Sequence, residues 1–397
     1  MSGVEKILEI LGGSESFACA MVVWTTTCNA DSILSNFAAE LGKDVQSKGG
    51  SFKDDFAAVV AAHNLVPCPF VSVTGGETLG TACRIDGCAV DLPTWRAFLL
   101  AASTVNSTIV EIDVMNCTLT LQHLQDLAAA LVKIGNLAVL KLDYITIASN
   151  AGDDASPANL FKPFIWGSAA PVEYLSLKGN NLGDAFCTDP SILSALSGNF
   201  TLQCLSLADN GITDEGAASI LKALRLAVSI KCVALAKNSI RGDALFFGAV
   251  CDLLAGTGAA SAEDESTWKN ASKVIGDRNK ALKDINKQRQ KAGYAALPDV
   301  APPAERIAKV DGVNAIVNRG INSLDLSFNP LDAEGCSSAF AACVSTLRAP
   351  CRISTAPPLD LRVVLRGTSP SSPLLGAGAD DATPVVCDLT DGVLIVC

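Results

Sequence analysis

Three stretches of this chain carry one pattern. V-E-Y-L-S-L-K-G-N-N-L occupies 172–182, L-Q-C-L-S-L-A-D-N-G-I occupies 202–212, and I-K-C-V-A-L-A-K-N-S-I occupies 230–240. Each fits L-x-x-L-x-L-x-x-N-x-L, with Asn180, Asn210 and Asn238 at the polar position. The L-x-L alternation puts two apolar side chains on one face of a short strand. The asparagine then falls in a turn, where its amide can bond backbone groups of neighbouring turns that no sheet pairing reaches. The asparagines are 30 and 28 residues apart, which leaves room for a helix running back after each strand. One such unit cannot bury its apolar face alone, so neighbours must stack.

These copies resemble the strand-and-turn segment of leucine-rich repeats. The long period and the helix I-T-D-E-G-A-A-S-I-L-K-A-L at 212–224 resemble the ribonuclease-inhibitor-like branch of that superfamily. The resemblance implies an α/β fold, a leucine-rich-repeat solenoid whose curved parallel sheet is lined with helices. Thr213 or Asp214 is placed to cap the 212–224 helix, and its acidic first turn suits the helix dipole.

Weaker units lie upstream, at Cys83/Ile85/Cys88/Val90, Ile109/Ile112/Val114/Cys117/Leu119 and Leu137/Leu140/Leu142/Ile145/Ile147. Cys88 and Cys117 stand where the repeat wants Asn, and Ile145 replaces it, so an interrupted turn ladder is expected there. Downstream the next match is Leu324, Leu326, Asn329 and Leu331. Asn238 and Asn329 are 91 residues apart. One repeat accounts for about 28, so roughly 60 residues are inserted.

The expected organisation is therefore an N-terminal cap or degenerate repeats over 1–80 (a separate small domain being the alternative), repeats over 81–255, a basic helical insertion over 256–320, further repeats over 321–366, and a C-terminal cap over 367–397. Strands are predicted near 83–86, 112–115, 140–143, 175–178, 205–208, 233–236 and 324–327, parallel and in chain order. The Leu324 strand should pair directly with the Val233 strand, because a missing rung would expose backbone and an apolar face. The flanks of the insertion, 256–266 and 297–305, read as linkers. A final hairpin is expected across Thr390-Asp391-Gly392.

Composition excludes several classes. The chain is 49% hydrophobic with a mean hydropathy of +0.34, yet no apolar run approaches the roughly 18 residues a membrane helix needs. Residues 4–11 carry Glu5 and Glu9 and do not read as a signal peptide. Fifteen cysteines, an odd number without an export signal, argue against a disulfide framework. Cys204 and Cys232 share one strand position beside core leucines and read as buried free thiols. No C-x-x-C occurs and the only histidines are His63 and His123, so no metal site of the usual spacing is expected. A net charge of −11 opposes non-specific binding of nucleic acid.

No phosphate-binding loop, nucleophile elbow or dinucleotide fingerprint is present, and no catalytic residue or cofactor is expected. The carboxylate pairs Asp153-Asp154 and Asp380-Asp381 read as solvated loops. The concave face is the usual binding surface in this family. The side chains expected there include Asp113, Met115, Lys141, Asp143, Ser176, Lys178, Ser206 and Asp325, a small polar set without an aromatic anchor. The insertion offers a second surface. Residues 267–291 read as a helix with Lys273, Lys280, Lys283, Lys287 and Arg289 among its eight basic residues, and with a thin apolar stripe through Trp268, Ile275, Leu282 and Ile285 expected to lie against the solenoid. Asn180, Asn210, Asn238 and Asn329 should be buried with their amides on backbone.

The resulting expectation is a cytoplasmic, non-enzymatic protein–protein interaction scaffold with a protein partner, possessing an acidic surface, in a hetero-assembly. No nucleic acid and no membrane is expected. Ribonuclease-inhibitor-like repeats also occur in flagellar and cytoskeletal subunits, which makes such an assembly the expected setting. The alternative is a GTPase-activating protein similar to the Ran GTPase activators, since L-A-D-N at 207–210 resembles a loop of that family. No arginine can be assigned a role by motif in that reading.

Overall fold

The computed structural model describes residues 31–43, 51–65, 71–74, 81–104, 107–131, 133–148, 156–165, 172–199, 201–225, 227, 229–255, 257–259, 262–291, 307–310, 313–317, 321, 323–331, 361–364, 386–389 and 393–396. Residues 4–11 and both carboxylate pairs lie outside these residues. So do the side chains of Trp268, Ile275, Leu282, Ile285 and Arg289, and with them the expected packing of the apolar stripe.

An 11-stranded sheet forms the body. Its repeat strands are β2 (Ala82–Asp86), β3 (Glu111–Met115), β5 (Val139–Asp143), β7 (Tyr174–Ser176), β8 (Cys204–Ser206), β9 (Cys232–Ala234), β13 (Ser323–Asp325) and β14 (Leu361–Val364). They are parallel and follow chain order. At one end β1 (Val71–Thr74) adds antiparallel to β2. At the other, the hairpin of β15 (Val386–Leu389) and β16 (Val393–Val396) joins through its second strand, parallel to β14. Short strands β4 (Thr118–Thr120) and β6 (Thr146–Ala148) make a second parallel pair beyond the turns, which the sequence reading did not anticipate.

The core lies between the sheet and the helices. Along each strand the L-x-L positions are buried: Cys83/Ile85, Ile112/Val114, Leu140/Leu142, Leu175/Leu177, Leu205/Leu207, Val233/Leu235 and Leu324/Leu326. Against them pack α1 (Asp31–Glu40), α2 (Phe52–Ala62), α3 (Leu92–Ala102), α4 (Leu121–Leu131), α5 (Pro157–Ile165), α6 (Gly183–Cys187), α7 (Pro190–Ser197), α8 (Asp214–Leu224) and α9 (Ala244–Ala255). In α5, Phe161, Phe164 and Ile165 are buried and supply its anchoring face. Burying one such side chain contributes about 1.5–3 kcal/mol. Trp95 of α3 is fully buried, and its indole N–H donates to the His123 carbonyl at 2.9 Å. His123 itself holds the 118–123 turn: its Nδ1 accepts from the Thr120 N–H at 3.2 Å, and its Nε2 lies 3.0 Å from the Val90 carbonyl oxygen.

The turns after the strands form a continuous asparagine ladder. The Asn210 carboxamide donates to the carbonyls of Leu177 and Ala208, both at 3.0 Å, and accepts from the N–H groups of Asn180 and Leu182. Asn238 does the same one rung on, and Asn329 serves Asn238 and Ile240 across the insertion. Asn210, Asn238 and Asn329 are buried, whereas Asn180 is half-buried. Asn180 stands where the ladder ends: its Oδ1 accepts from the Ile145 N–H, and Ile145 has no amide to carry the ladder further. One rung further, the Cys117 thiol lies 3.5 and 3.0 Å from the carbonyls of Ile85 and Met115, standing in for the donor half of an asparagine.

Each ladder residue follows one in the left-handed region: Gly87, Asn116, Tyr144, Gly179, Asp209, Lys237 and Phe328 all have φ between 52° and 70°. The turn needs that conformation, and most of these rungs supply it without glycine. Gly179 is the position where glycine is required twice over. Its φ is 70°, and an added Cβ would overlap the Tyr144 ring lying across it. Gly179→Ala should lower stability by about 2 kcal/mol, combining positive-φ strain with displacement of that ring; a shift in the urea midpoint measures it.

The helix starts are tied to one another on the outer side. The Asp184 carboxylate accepts from the Thr213 N–H and hydroxyl. Asp214 accepts from the N–H groups of Arg241, Gly242 and Asp243 at 2.7–3.0 Å. This corrects the expected cap of α8: Thr213 makes no side-chain capping bond, because Asp184 of the previous repeat engages it instead.

The insertion leaves the solenoid closed. β13 pairs directly with β9, Leu324 opposite Val233, as the repeat spacing requires. The inserted residues build their own elements: β10 (Thr257–Ala259), a 30-residue helix α10 (Ala262–Lys291), β11 (Ile307–Val310) and β12 (Val313–Val317). The three strands form an antiparallel sheet in the order β10-β12-β11. The 256–266 flank, expected as a linker, thus contains a strand and the first turn of the helix. T-G-A carries little local signal, and β10 forms because β12, more than 50 residues away, offers it an edge.

Candidate functional site

Side chains opposite the buried L-x-L positions line the concave face in three in-register rows. The middle row runs Arg84, Asp113, Lys141, Ser176, Ser206, Ala234, Asp325. A second row runs Glu111, Val139, Tyr174, Cys204, Cys232, Ser323. The third begins Asp86, Met115, Asp143 and continues into the turns through Lys178. The predicted face residues are therefore brought together. Three of them, Asp143, Ser176 and Ser206, are buried rather than open. Ser176 Oγ donates to Asp143 at 2.6 Å and the Lys178 N–H donates to the same carboxylate oxygen at 2.9 Å, so Asp143 is committed to its own neighbours.

The face is polarised along the solenoid. Its N-terminal half is charged: Arg84 pairs with Asp86 at 2.9 Å and Lys141 with Glu111 at 2.5 Å. The bond to Glu111 holds the Lys141 ammonium above its usual range, and the bonds from Asn116 and Arg84 hold Asp86 below its own. Asp113 lies between Arg84 and Lys141, yet both cations are engaged elsewhere and its Oδ1 has no hydrogen-bond partner. Burial pushes the Asp113 carboxyl up, with Lys141 and Arg84 opposing. Over β8 and β9 the face turns small and neutral, with Ser206, Ala234 and the two cysteines, before Asp325 on β13 restores a charged position.

Aromatic side chains are present, contrary to expectation. Tyr174 stands in the second row, half-buried, its hydroxyl pushed up by desolvation and then by Asp143. At the rim, Tyr144 reaches across two rungs to donate to Asp209 at 2.9 Å, with the Lys178 ammonium 5.5 Å from its ring centre. Phe328 is 54% exposed in the left-handed region. Two signals could have found them. Strand alternation extends one residue before the first core leucine, which reaches Tyr174, and the residue before each ladder position projects at the rim.

The basic arm is exposed on one face. Lys269, Lys273, Lys280, Lys283, Lys287 and Lys291 are all exposed, as are Asp277 and Asp284. Among the described residues no group of three His, Cys, Asp or Glu could hold a metal ion, and no helix is long and apolar enough to cross a membrane. His63 lies 3.4 Å from Glu40 and His123 sits in the core, both away from the concave face.

The architecture of parallel strands, outer helices and an asparagine ladder defines a leucine-rich-repeat solenoid. The Leucine Rich repeat family matches the chain over residues 198–221 and 317–338, one unit upstream of the insertion, with the Val233 repeat between, and the unit that follows it. No curated protein matches it. Modules of this family characteristically bind other proteins.

Proposed function

We propose that the protein is a non-enzymatic scaffold of the ribonuclease-inhibitor-like kind that engages an acidic protein partner through its inserted helix. The observation that carries this is the lysine face of α10. Six exposed lysines recur at spacings of three, four or seven residues, which a 3.6-residue turn places on one side. They belong to a chain of net charge −11, so the arm is a local reversal of sign. Asp277 and Asp284 are exposed on the same side, so the stripe is mixed but net positive. Single exposed ion pairs contribute little, whereas a net-positive stripe steers encounter and selects partners of the opposite sign. The charged half of the concave face, where Asp113 Oδ1 has no hydrogen-bond partner, offers a second contact surface.

The setting we favour is a cytoplasmic hetero-assembly of cytoskeletal or flagellar type, by likeness to other ribonuclease-inhibitor-like subunits. None of the six cysteines whose side chains are described is in a disulfide, which suits a reducing compartment. The likeness to Ran GTPase activators rests on L-A-D-N, where both ends of the Asn210 amide are bonded to backbone, so we favour the scaffold. A GTP hydrolysis assay with a panel of small GTPases, expected to show no acceleration, separates the two.

Removal of 257–318 with a short Gly/Ser bridge should leave a folded solenoid, since β9 and β13 already pair. Capture from native extract followed by mass spectrometry should then lose the partners held by the intact chain. Lys273→Glu/Lys280→Glu/Lys287→Glu should lose the same set, and raised salt should weaken it. Retention of the set by both variants would overturn the reading.

A further inference from the structure

We propose that Cys204 and Cys232 form a two-thiolate site on the concave face for a soft monovalent cation of the cuprous class. The proposal stands independently of the scaffold reading. The two residues are in-register neighbours on parallel strands β8 and β9, where the ladder sets strands about 4.8 Å apart. Leu205 and Val233, the next residues along each strand, are 2% and 1% exposed in the core, so alternation turns both cysteines to the concave side. Side chains converge on the inside of a curved sheet, and the two thiols are hydrogen-bonded to each other. Among the six cysteines whose side chains are described, Cys83, Cys88, Cys117 and Cys187 are buried, whereas Cys204 and Cys232 are half-exposed. The expectation of buried thiols beside the core leucines is corrected here, because period-2 alternation separates them from those leucines.

The donor set selects the ligand. The flanking in-register residues are Tyr174 and Ser323, and the next positions along the strands are Ser206 and Ala234. No third His, Cys, Asp or Glu completes a group among the described residues. Zinc needs about four ligands and calcium or magnesium needs about six oxygens, so two sulfurs suit neither. A soft ion that accepts two thiolates in line matches this pair. Binding is a proton exchange, not a redox step: one cation replaces two S–H protons, which pass to solvent, and two metal–sulfur bonds form. Burial, and then the neighbouring Cys232, pushes the Cys204 thiol up to about 11.

The test uses the reduced full-length protein under anaerobic conditions. Copper(I) is supplied from a bicinchoninate complex, followed by iodoacetamide and peptide mass spectrometry. Alkylation of Cys204 and of Cys232 should slow together by about tenfold, since a bound thiolate no longer reacts. Cys204→Ser should abolish protection of Cys232, and Cys232→Ser that of Cys204. Zinc(II) at the same concentration should protect neither. Unchanged alkylation with copper, protection of one cysteine that survives loss of the other, or a disulfide between them would each overturn the proposal. The joint protection in the unaltered chain decides the matter even if a serine variant folds poorly.

Discussion

Asn210→Ala should lower the unfolding free energy by about 3 kcal/mol, through loss of bonds to four backbone groups at once. The N–H groups of Asn180 and Leu182 and the carbonyl of Leu177 depend on this carboxamide, and the Ala208 carbonyl accepts from it as well as from the Gly179 N–H. Asn210 is 1% exposed, so water cannot replace it without opening the turn. Cys117→Ala gives the internal scale. It removes only a weak sulfur donor and a weak sulfur acceptor, the latter bonded by the backbone of Cys88 and Gly87, and should cost about 1 kcal/mol. Urea unfolding of both variants, followed by far-UV circular dichroism, measures the difference. Equal midpoints for Asn210→Ala and the unaltered chain would mean that the ladder does not hold the turns.

Arg96→Ala should cost about 3–4 kcal/mol and release the N-terminal helix α1. The Arg96 guanidinium lies 2.6 Å from Asp126 Oδ2, donates to the Leu34 carbonyl at 2.7 Å, and sits 5.0 Å above the Phe37 ring. It therefore joins α1, α3 and α4 at one point. The paired side chains are only 11% and 7% exposed, so truncating the arginine leaves Asp126 buried without its counter-charge. Arg96→Lys should recover little, because an ammonium cannot bond Asp126 and Leu34 with one planar fork. Arg96→Met with Asp126→Leu should recover most of the loss, since no buried charge then remains. Hydrogen exchange should show residues 31–40 losing protection first in Arg96→Ala. Uniform exchange along the chain would contradict this anchoring role.

The two sites differ in how far they could be read in advance. The middle row of the concave face follows from alternation once one leucine is assigned, and Asp113, Lys141 and Asp325 fall where expected. What each does there was not legible. Asp143 faces the concave side but is closed off by Ser176 and the Lys178 N–H, partners more than 30 residues away. Tyr144 is a ladder-turn residue whose reach to Asp209 depends on Gly179 leaving room in the rung between. The lysine stripe of α10 was legible because helical period and charge are both local properties.

By itself the sequence determined the strand positions, the direction and order of the sheet, and the closure over the insertion. Those follow from a short repeated pattern that can bury its leucines and satisfy its asparagines in one way. Tertiary structure alone decided which equivalent positions are open and which are closed. It made Asp184 rather than Thr213 the tie at the start of α8, and it recruited Thr257–Ala259 as a strand. It also brought two half-exposed thiols into contact on adjacent rungs. The physical reason is sequence distance. Backbone pairing and alternation are set within a few residues, whereas burial, charge compensation and thiol contact depend on neighbours that stacking brings from about one repeat away.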